Sequence, residues 1–148
     1  MRCESSVTVN GSPEAVFPWL LDADKVPRWM TGLEVYEPLT PGPLRIGSRI
    51  RQELSVSGHD LHFELTVARY EPPGAAVMSF SGSGFKAANE YAVRALGDRS
   101  EVTWVISGDT TSFKARLIAP MVQAKLQEKL EIDLARLRAV MEEEAAAA

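Results

Sequence analysis

One stretch of the chain, residues 46–108, alternates apolar and polar side chains between regularly spaced turns, and it constrains the fold more than any other feature. The alternation is clearest over residues 46–57 and 61–67, on either side of a turn at 57–60. Further turns, at 71–74 and 97–99, bound three more segments of strand type. Since strands at hairpin spacing pair with their neighbours in sequence, the stretch predicts a largely antiparallel meander.

The last third of the sequence predicts one long helix that follows Thr111 and Ser112 and ends near Glu143. Charged residues, Lys129 among them, are expected over much of the remaining helix surface. Pro120 is expected to bend or break the helix near its start, and residues 142–148 to form a frayed tail. Seven apolar residues step by three and four and so form a single stripe: Ile118, Val122, Leu126, Leu130, Leu134, Leu137 and Met141.

The segment before the meander predicts one strand and two short helices. Residues 6–9 alternate as a strand, and Ser12 followed by Pro13 is typical of a helix start. Pro18 is expected to kink this first helix. A second helical piece spans about residues 24–30, and a further strand is expected over 33–39.

Length and composition favour one soluble domain covering residues 1–148, and the succession of strands and helices makes it an α+β domain. A chain of 148 residues, 45% hydrophobic and 24% charged, can bury a core without metal or disulfide staples. A net charge of −4 gives no general attraction to nucleic acid, and a single cysteine excludes an intramolecular disulfide. The sequence shows no secretory signal and no apolar run long enough to span a membrane. A cytoplasmic protein without membrane insertion is therefore expected.

The layout implies that the long helix covers the apolar face of the sheet, because no other element is large enough. A strongly curved sheet around a helix leaves space unless large side chains fill it. Aromatic residues make up only 7% of the chain, and Ala87, Ala88, Ala92 and Ala95 recur in the later strands. These features are compatible with an internal cavity and equally with close packing.

Four motifs resemble those of the START-like, helix-grip superfamily, which includes the polyketide cyclase/dehydratase and lipid-transport proteins and the birch-pollen-allergen-like proteins. They are residues 7–17 (VTVNGSPEAVF), Asp22 with 26–29 (VPRW), 70–73 (YEPP) and the closing helix with Leu130, Leu134 and Leu137. The similarity extends over the whole chain. It implies a curved antiparallel sheet of about seven strands wrapped around a long C-terminal helix, with two short helices closing one end of a cavity. The motifs are architectural, so they carry little information about function.

Strand alternation and the resemblance together predict which side chains face the interior. Most of these positions are expected to serve packing, and those near the open end of the cavity are expected to contact a ligand. The predicted ligand-binding residues are Trp29, Leu33, Ile50, Gln52, Leu54, Phe63, Leu65, Val67, Met78, Phe80, Asn89, Tyr91, Val93, Trp104, Phe113, Leu117 and Met121.

Three of these predicted inner-face residues are polar: Gln52, Asn89 and Tyr91. Either they satisfy one another and the backbone, or they orient a ligand in an otherwise apolar pocket. Glu64 and Glu90 are expected to face outward by alternation. If the protein is an enzyme, Tyr91 is the best candidate for a general acid, with Gln52 and Asn89 orienting carbonyl groups.

Neither a metal nor a cofactor is predicted from the sequence. The only histidines, His59 and His62, fall in a turn and on the solvent face of a strand, where no third metal ligand converges on them. Glycine-rich phosphate loops and nucleophile elbows are also missing from the sequence.

Three functions remain open, in this order. The first is binding of a small hydrophobic molecule such as a lipid, an isoprenoid or a polyketide. The second is a polyketide cyclase/aromatase-type reaction, which needs a general acid or base within reach of the substrate. The third is a chaperone-associated interaction protein of the same fold, which would expose an apolar patch. The sequence leaves open whether the protein is a monomer or a homodimer.

Overall fold

The computed structural model describes residues 1–147, which form one seven-stranded antiparallel sheet, two short helices and a long C-terminal helix. The strands are β1 (Arg2–Asn10), β2 (Leu33–Pro38), β3 (Arg49–Val56), β4 (His59–Glu71), β5 (Ala75–Gly82), β6 (Phe85–Leu96) and β7 (Arg99–Thr110). The helices are α1 (Pro13–Val16), α2 (Pro18–Leu21) and α3 (Phe113–Ala147), with a 3-10 turn at Val26–Arg28. This architecture confirms the predicted helix-grip fold.

The spatial order of the strands is β1-β7-β6-β5-β4-β3-β2, so the sheet is a meander that β1 extends at its far edge. Residues that the alternation placed on one face stand opposite one another across the strands. Gln52 of β3 pairs with Phe63 of β4, and Tyr91 of β6 pairs with Trp104 of β7. One apolar face therefore runs across the sheet. Ile46 does not join it, because β3 begins only at Arg49 and Ile46 is exposed.

Proline divides the first helical segment more completely than a kink would. The Ser12 hydroxyl caps α1 by accepting a hydrogen bond from the Ala15 amide at 3.3 Å, and Pro13 occupies the first turn. Pro18 then starts α2, since it has no amide hydrogen with which to continue α1. The two short helices bury Val16, Trp19, Leu20 and Leu21.

The long helix differs from its prediction at both ends. It runs unbroken through Pro120, with buried Ala115 and Val122 packing on either side of the proline. It also continues to Ala147, so the tail expected over 142–147 is helical; Ala148 lies outside the described residues. Glu144 forms an ion pair with Arg28 at 3.0 Å, and the closing alanines are strong helix formers.

The buried side chains of α3 concentrate in its central part. Seven of its residues are buried: Ala115, Val122, Lys129, Leu130, Asp133, Leu134 and Leu137. Five of these lie between residues 129 and 137, whereas the first half of the helix contributes only two small side chains. The helix is therefore anchored to the sheet mainly through its middle turns. Within residues 1–147, no helix is both long and apolar enough to cross a membrane.

Candidate functional site

An apolar cavity of about 60 Å³ lies between the inner face of the sheet and α3. Side chains from β3, β4, β5, β6 and β7 form one wall, and the helix forms the other. The lining residues are Met1, Met30, Gln52, Leu54, Val56, Leu61, Phe63, Phe80, Phe85, Asn89, Trp104, Ile106, Val122, Leu126 and Lys129. All but three of these side chains are apolar, which is typical of a site for a hydrophobic molecule.

Aromatic rings hold the sheet wall of the cavity in a fixed arrangement. Phe63 and Phe80 meet edge to face, with ring centroids 4.8 Å apart. The rings of Trp29 and Trp104 form a T-shaped pair, with centroids 5.6 Å apart and an interplanar angle of 85°. The Trp29 indole nitrogen donates to the backbone carbonyl of Trp19 at 2.7 Å. Trp29 is thus a fully buried core residue that packs against the Trp104 ring of the wall.

Two polar side chains of the sheet wall are bonded to neighbouring residues. The Asn89 amide oxygen accepts a hydrogen bond from the Trp104 indole nitrogen. The Gln52 amide nitrogen donates to the Met30 thioether sulfur at 3.3 Å. Both side chains are buried, so the predicted inward orientation is confirmed. Within residues 1–147, every fully buried side-chain nitrogen or oxygen has a hydrogen-bond partner, as the close-packed interior requires.

The third polar residue of the cavity, Lys129, comes from the helix and pairs with a carboxylate that is entirely buried. Its ammonium donates to Asp133 Oδ2, one helical turn further on. The other carboxylate oxygen, Oδ1, accepts two hydrogen bonds from Thr31: from its amide at 3.0 Å and from its hydroxyl at 2.6 Å. Asp133 is 0% exposed and Lys129 is 9% exposed. The pair is therefore a fixed, net-neutral unit beside an apolar space.

Burial lowers the pKa of Lys129, because the apolar surroundings disfavour the ammonium form. The charge and the hydrogen bond of Asp133 act in the opposite direction and keep the shift from growing. An amine in this position is easier to deprotonate than one at the surface. It still keeps a carboxylate within hydrogen-bond reach.

Tyr91 is buried on the inner face but is absent from the lining of the cavity. Its ring lies against Trp104 with centroids 5.4 Å apart. Burial raises the pKa of Tyr91 well above its usual value, with Tyr36 adding to the rise and Asn89 opposing it. Tyr91, the candidate acid, therefore packs against the Trp104 ring and does not line the cavity.

The predicted ligand residues divide into four groups. Six line the cavity: Gln52, Leu54, Phe63, Phe80, Asn89 and Trp104. Seven are buried but lie outside the lining: Trp29, Ile50, Leu65, Val67, Met78, Tyr91 and Val93. Leu33 is half-buried and packs against the core. The last three, Phe113, Leu117 and Met121, are exposed by 73%, 67% and 43%.

The three helix residues were placed on the wrong face. A helix turns about 100° per residue, so a side chain two positions from another points to nearly the opposite side. Ala115 and Val122 face the sheet. Phe113 and Leu117 each lie two residues from Ala115, and they therefore point to solvent.

Several lining residues went unpredicted although the sequence contained signals for them. Val56, Leu61 and Phe85 continue the strand alternation to the strand ends. Lys129 was assigned to the solvent surface, yet it lies seven residues after Val122 and so falls on the same helix face. Asp133 stands seven residues after Leu126 in the same way. Two charged residues of opposite sign on the apolar face of the helix were the available sign of a buried ion pair. Glu64 and Glu90 are exposed, as predicted.

No group of three histidine, cysteine, aspartate or glutamate side chains within residues 1–147 is arranged to hold a metal ion. His59 is half-buried, and His62 is exposed with its Nδ1 2.8 Å from Glu53. Neither histidine lies in the cavity lining.

Comparison with known proteins adds a family and a fold. A family model described as polyketide cyclase/dehydrase and lipid transport matches residues 1–142. A START superfamily protein from Mycobacterium smegmatis superposes with a TM-score of 0.80 at 19% identity, covering 96% of this chain and 97% of that one. The Zhui aromatase/cyclase from a Streptomyces species gives 0.79 at 15% identity, with coverages of 96% and 93%.

A more distant plant protein has the same fold. The ginseng major latex-like protein from Panax ginseng gives a TM-score of 0.73 at 11% identity, covering 94% of this chain and 95% of that one. No curated protein matches the sequence. At these identities, the solved structures establish the shared fold alone.

Proposed function

This chain belongs to the polyketide cyclase/dehydrase and lipid-transport family, and from that premise we propose that it binds a small hydrophobic molecule between the sheet and α3. The observation that supports this proposal most is the apolar cavity, whose lining contains only three polar side chains. Pockets for small ligands have this composition: many apolar groups that supply affinity and a few polar groups that supply orientation.

The cavity must widen to receive such a ligand. Its volume is about 60 Å³, whereas pockets for drug-sized ligands span roughly 300–1,000 Å³. We expect the first half of α3 to be the part that moves, because Ala115 and Val122 are its only buried side chains. We therefore expect ligand entry to displace this half of the helix while Leu130, Leu134 and Leu137 keep the second half in place.

A cavity-filling substitution tests the proposal directly. Val122→Phe places a ring in the space between helix and sheet, and Val140→Phe adds the same ring on α3 outside the lining. Binding of Nile red, a neutral dye, is followed by fluorescence, and purified protein is examined by native mass spectrometry for a retained ligand. We expect the wild type and Val140→Phe to bind the dye and Val122→Phe to bind it at least tenfold more weakly. Equal binding by all three proteins would contradict internal binding.

A cyclase-type enzyme is the second candidate, and the buried Lys129–Asp133 pair is the observation that favours it. A buried lysine with a lowered pKa beside a carboxylate can act as a proton donor or acceptor for a bound substrate. The test substrate is 2,6-heptanedione, whose intramolecular aldol closure and dehydration yield a cyclic enone with strong ultraviolet absorbance. Closure that is faster than in buffer and is lost in Lys129→Met would support an enzyme. A rate equal to that in buffer would count against it.

A further inference from the structure

We propose that the ligand of this cavity carries a neutral carbonyl group and that Lys129 is its polar anchor, donating a hydrogen bond to the carbonyl oxygen. The inference rests on the proposed function, since it names the class of molecule that the cavity takes. Three observations carry it: the placement of Lys129, the neutrality of its pairing with Asp133, and the weak hydrogen bond made by Gln52.

Lys129 is the one charged side chain in the cavity lining. An ammonium group carries three N–H donors. Among the described residues, Asp133 is the only hydrogen-bond partner that Nζ has. The remaining donors are available to an acceptor that enters the cavity. The fixed position of Asp133, held by Thr31, keeps the ammonium in place before the ligand arrives.

The charge balance favours a neutral acceptor over an anionic one. The ammonium of Lys129 and the carboxylate of Asp133 already compensate each other in the buried site. A ligand carboxylate would bring a second negative charge close to Asp133 without a second positive charge, and burying an unpaired charge is costly. A ketone or enone oxygen accepts the hydrogen bond and leaves the site neutral.

Gln52 supplies a second donor that a carbonyl oxygen can recruit. Its amide nitrogen is bonded to the Met30 sulfur, and a thioether is a weak acceptor. A ligand oxygen is a stronger acceptor, so the exchange is favourable. Asn89 is less available, because its amide oxygen is already bonded to the Trp104 indole.

Three small probes of similar shape distinguish a neutral carbonyl ligand from a purely apolar one and from an anionic one. They are acetophenone, α-methylstyrene and benzoate. The first two differ in replacing the carbonyl oxygen by a methylene group, and the third carries a carboxylate. Binding is measured by calorimetry and by ligand-observed NMR. We expect acetophenone to bind about tenfold to a hundredfold more tightly than α-methylstyrene, the usual gain from a hydrogen bond to a charged group. Benzoate should bind more weakly than acetophenone.

Variants assign this preference to Lys129. In Lys129→Met combined with Asp133→Asn, which avoids an unpaired buried charge, the preference for acetophenone should fall to about threefold or less. Lys125→Met, one turn earlier on the exposed side of α3, should keep the wild-type preference. The infrared carbonyl stretch of acetophenone bound to the wild-type protein provides a readout that needs no variant. It should shift to lower frequency than in an alkane solvent.

The outcomes are distinct. Equal affinity for acetophenone and α-methylstyrene, or an unshifted carbonyl stretch, would overturn the anchor while leaving hydrophobic binding intact. Tighter binding of benzoate than of acetophenone would overturn the neutral carbonyl. If neither neutral probe binds and the dye also fails to bind, the proposed function falls and the anchor falls with it.

Discussion

Removing the Asp133 carboxylate should destabilise the protein strongly, because it leaves a buried ammonium without compensation. In Asp133→Ala, Lys129 loses its counter-charge and Thr31 loses the acceptor for both its amide and its hydroxyl. Breaking a buried ion pair from one side costs about 3–5 kcal/mol. For a chain of this length that loss corresponds to a fall in Tm of roughly 6–20 °C.

The assay is urea unfolding followed by tryptophan fluorescence, carried out as a double-mutant cycle. The proteins are the wild type, Asp133→Ala, Lys129→Met and the double variant. The lost Thr31 hydrogen bonds are common to both proteins that lack Asp133, so they cancel in the cycle. We expect the double variant to be more stable than Asp133→Ala alone, with a coupling energy of about 2 kcal/mol.

The loss of folding stability caused by Asp133→Ala should depend on pH, and this dependence provides an independent check. In Asp133→Ala, the buried Lys129 ammonium is expected to lose its proton at a lower pH than in the wild type. Burial still disfavours the charged form, and the carboxylate that favoured it is gone. The unfolded chain keeps the proton up to its ordinary pKa, so the stability of Asp133→Ala should rise with pH over the alkaline range below about 10.4. A coupling energy near zero, or a cost that is the same at pH 6 and pH 9.5, would refute the assignment of a buried ion pair.

Three further predictions test the fold around the site. Leu134→Ala should cost about 2–5 kcal/mol, whereas Leu117→Ala should change stability by less than about 0.5 kcal/mol because its side chain is exposed; equal losses in urea unfolding would contradict the observed helix face. Tyr91→Phe should lessen the loss of stability above about pH 10: the folded-state pKa is raised, so the wild type loses stability as the unfolded tyrosine ionises. This prediction would be refuted if the wild type and Tyr91→Phe lost stability equally between pH 9 and pH 11. Trp29→Phe should cost about 1–3 kcal/mol by leaving the Trp19 carbonyl unpaired, and a change below 0.5 kcal/mol in calorimetry would show that this bond adds little.

Much of the fold was predictable because strand alternation and turn residues are local signals. The pairing of Gln52 with Phe63 follows from the short turn that joins their strands. The extent of β1 was harder to predict. Its first residues, near Cys3, are held by pairing with β7 at the other end of the sequence. A local pattern contains no information about such a partner.

The candidate site was predictable only on the side of the sheet. A strand has two faces, so alternation assigns Leu54 and Asn89 inward once one neighbour is known. A helix offers a continuous range of directions, and Pro120 interrupts the expected pattern just where Phe113 and Leu117 had to be assigned. The inward placement of Lys129 depends on Asp133 and Thr31, which become its surroundings only in the folded chain.

The position of β1 beside β7 has a consequence for the order of events during synthesis. The Gly11 carbonyl accepts a hydrogen bond from the Ser100 hydroxyl, and 89 residues separate the two in the chain. At roughly 5–20 residues per second, a ribosome takes about 4–18 s to produce that interval. Throughout that time the first strand to emerge has no edge to join, and its apolar residues stay exposed to water. The domain is therefore most dependent on protection at β1, and the sheet is completed only when its last strand, β7, leaves the exit tunnel.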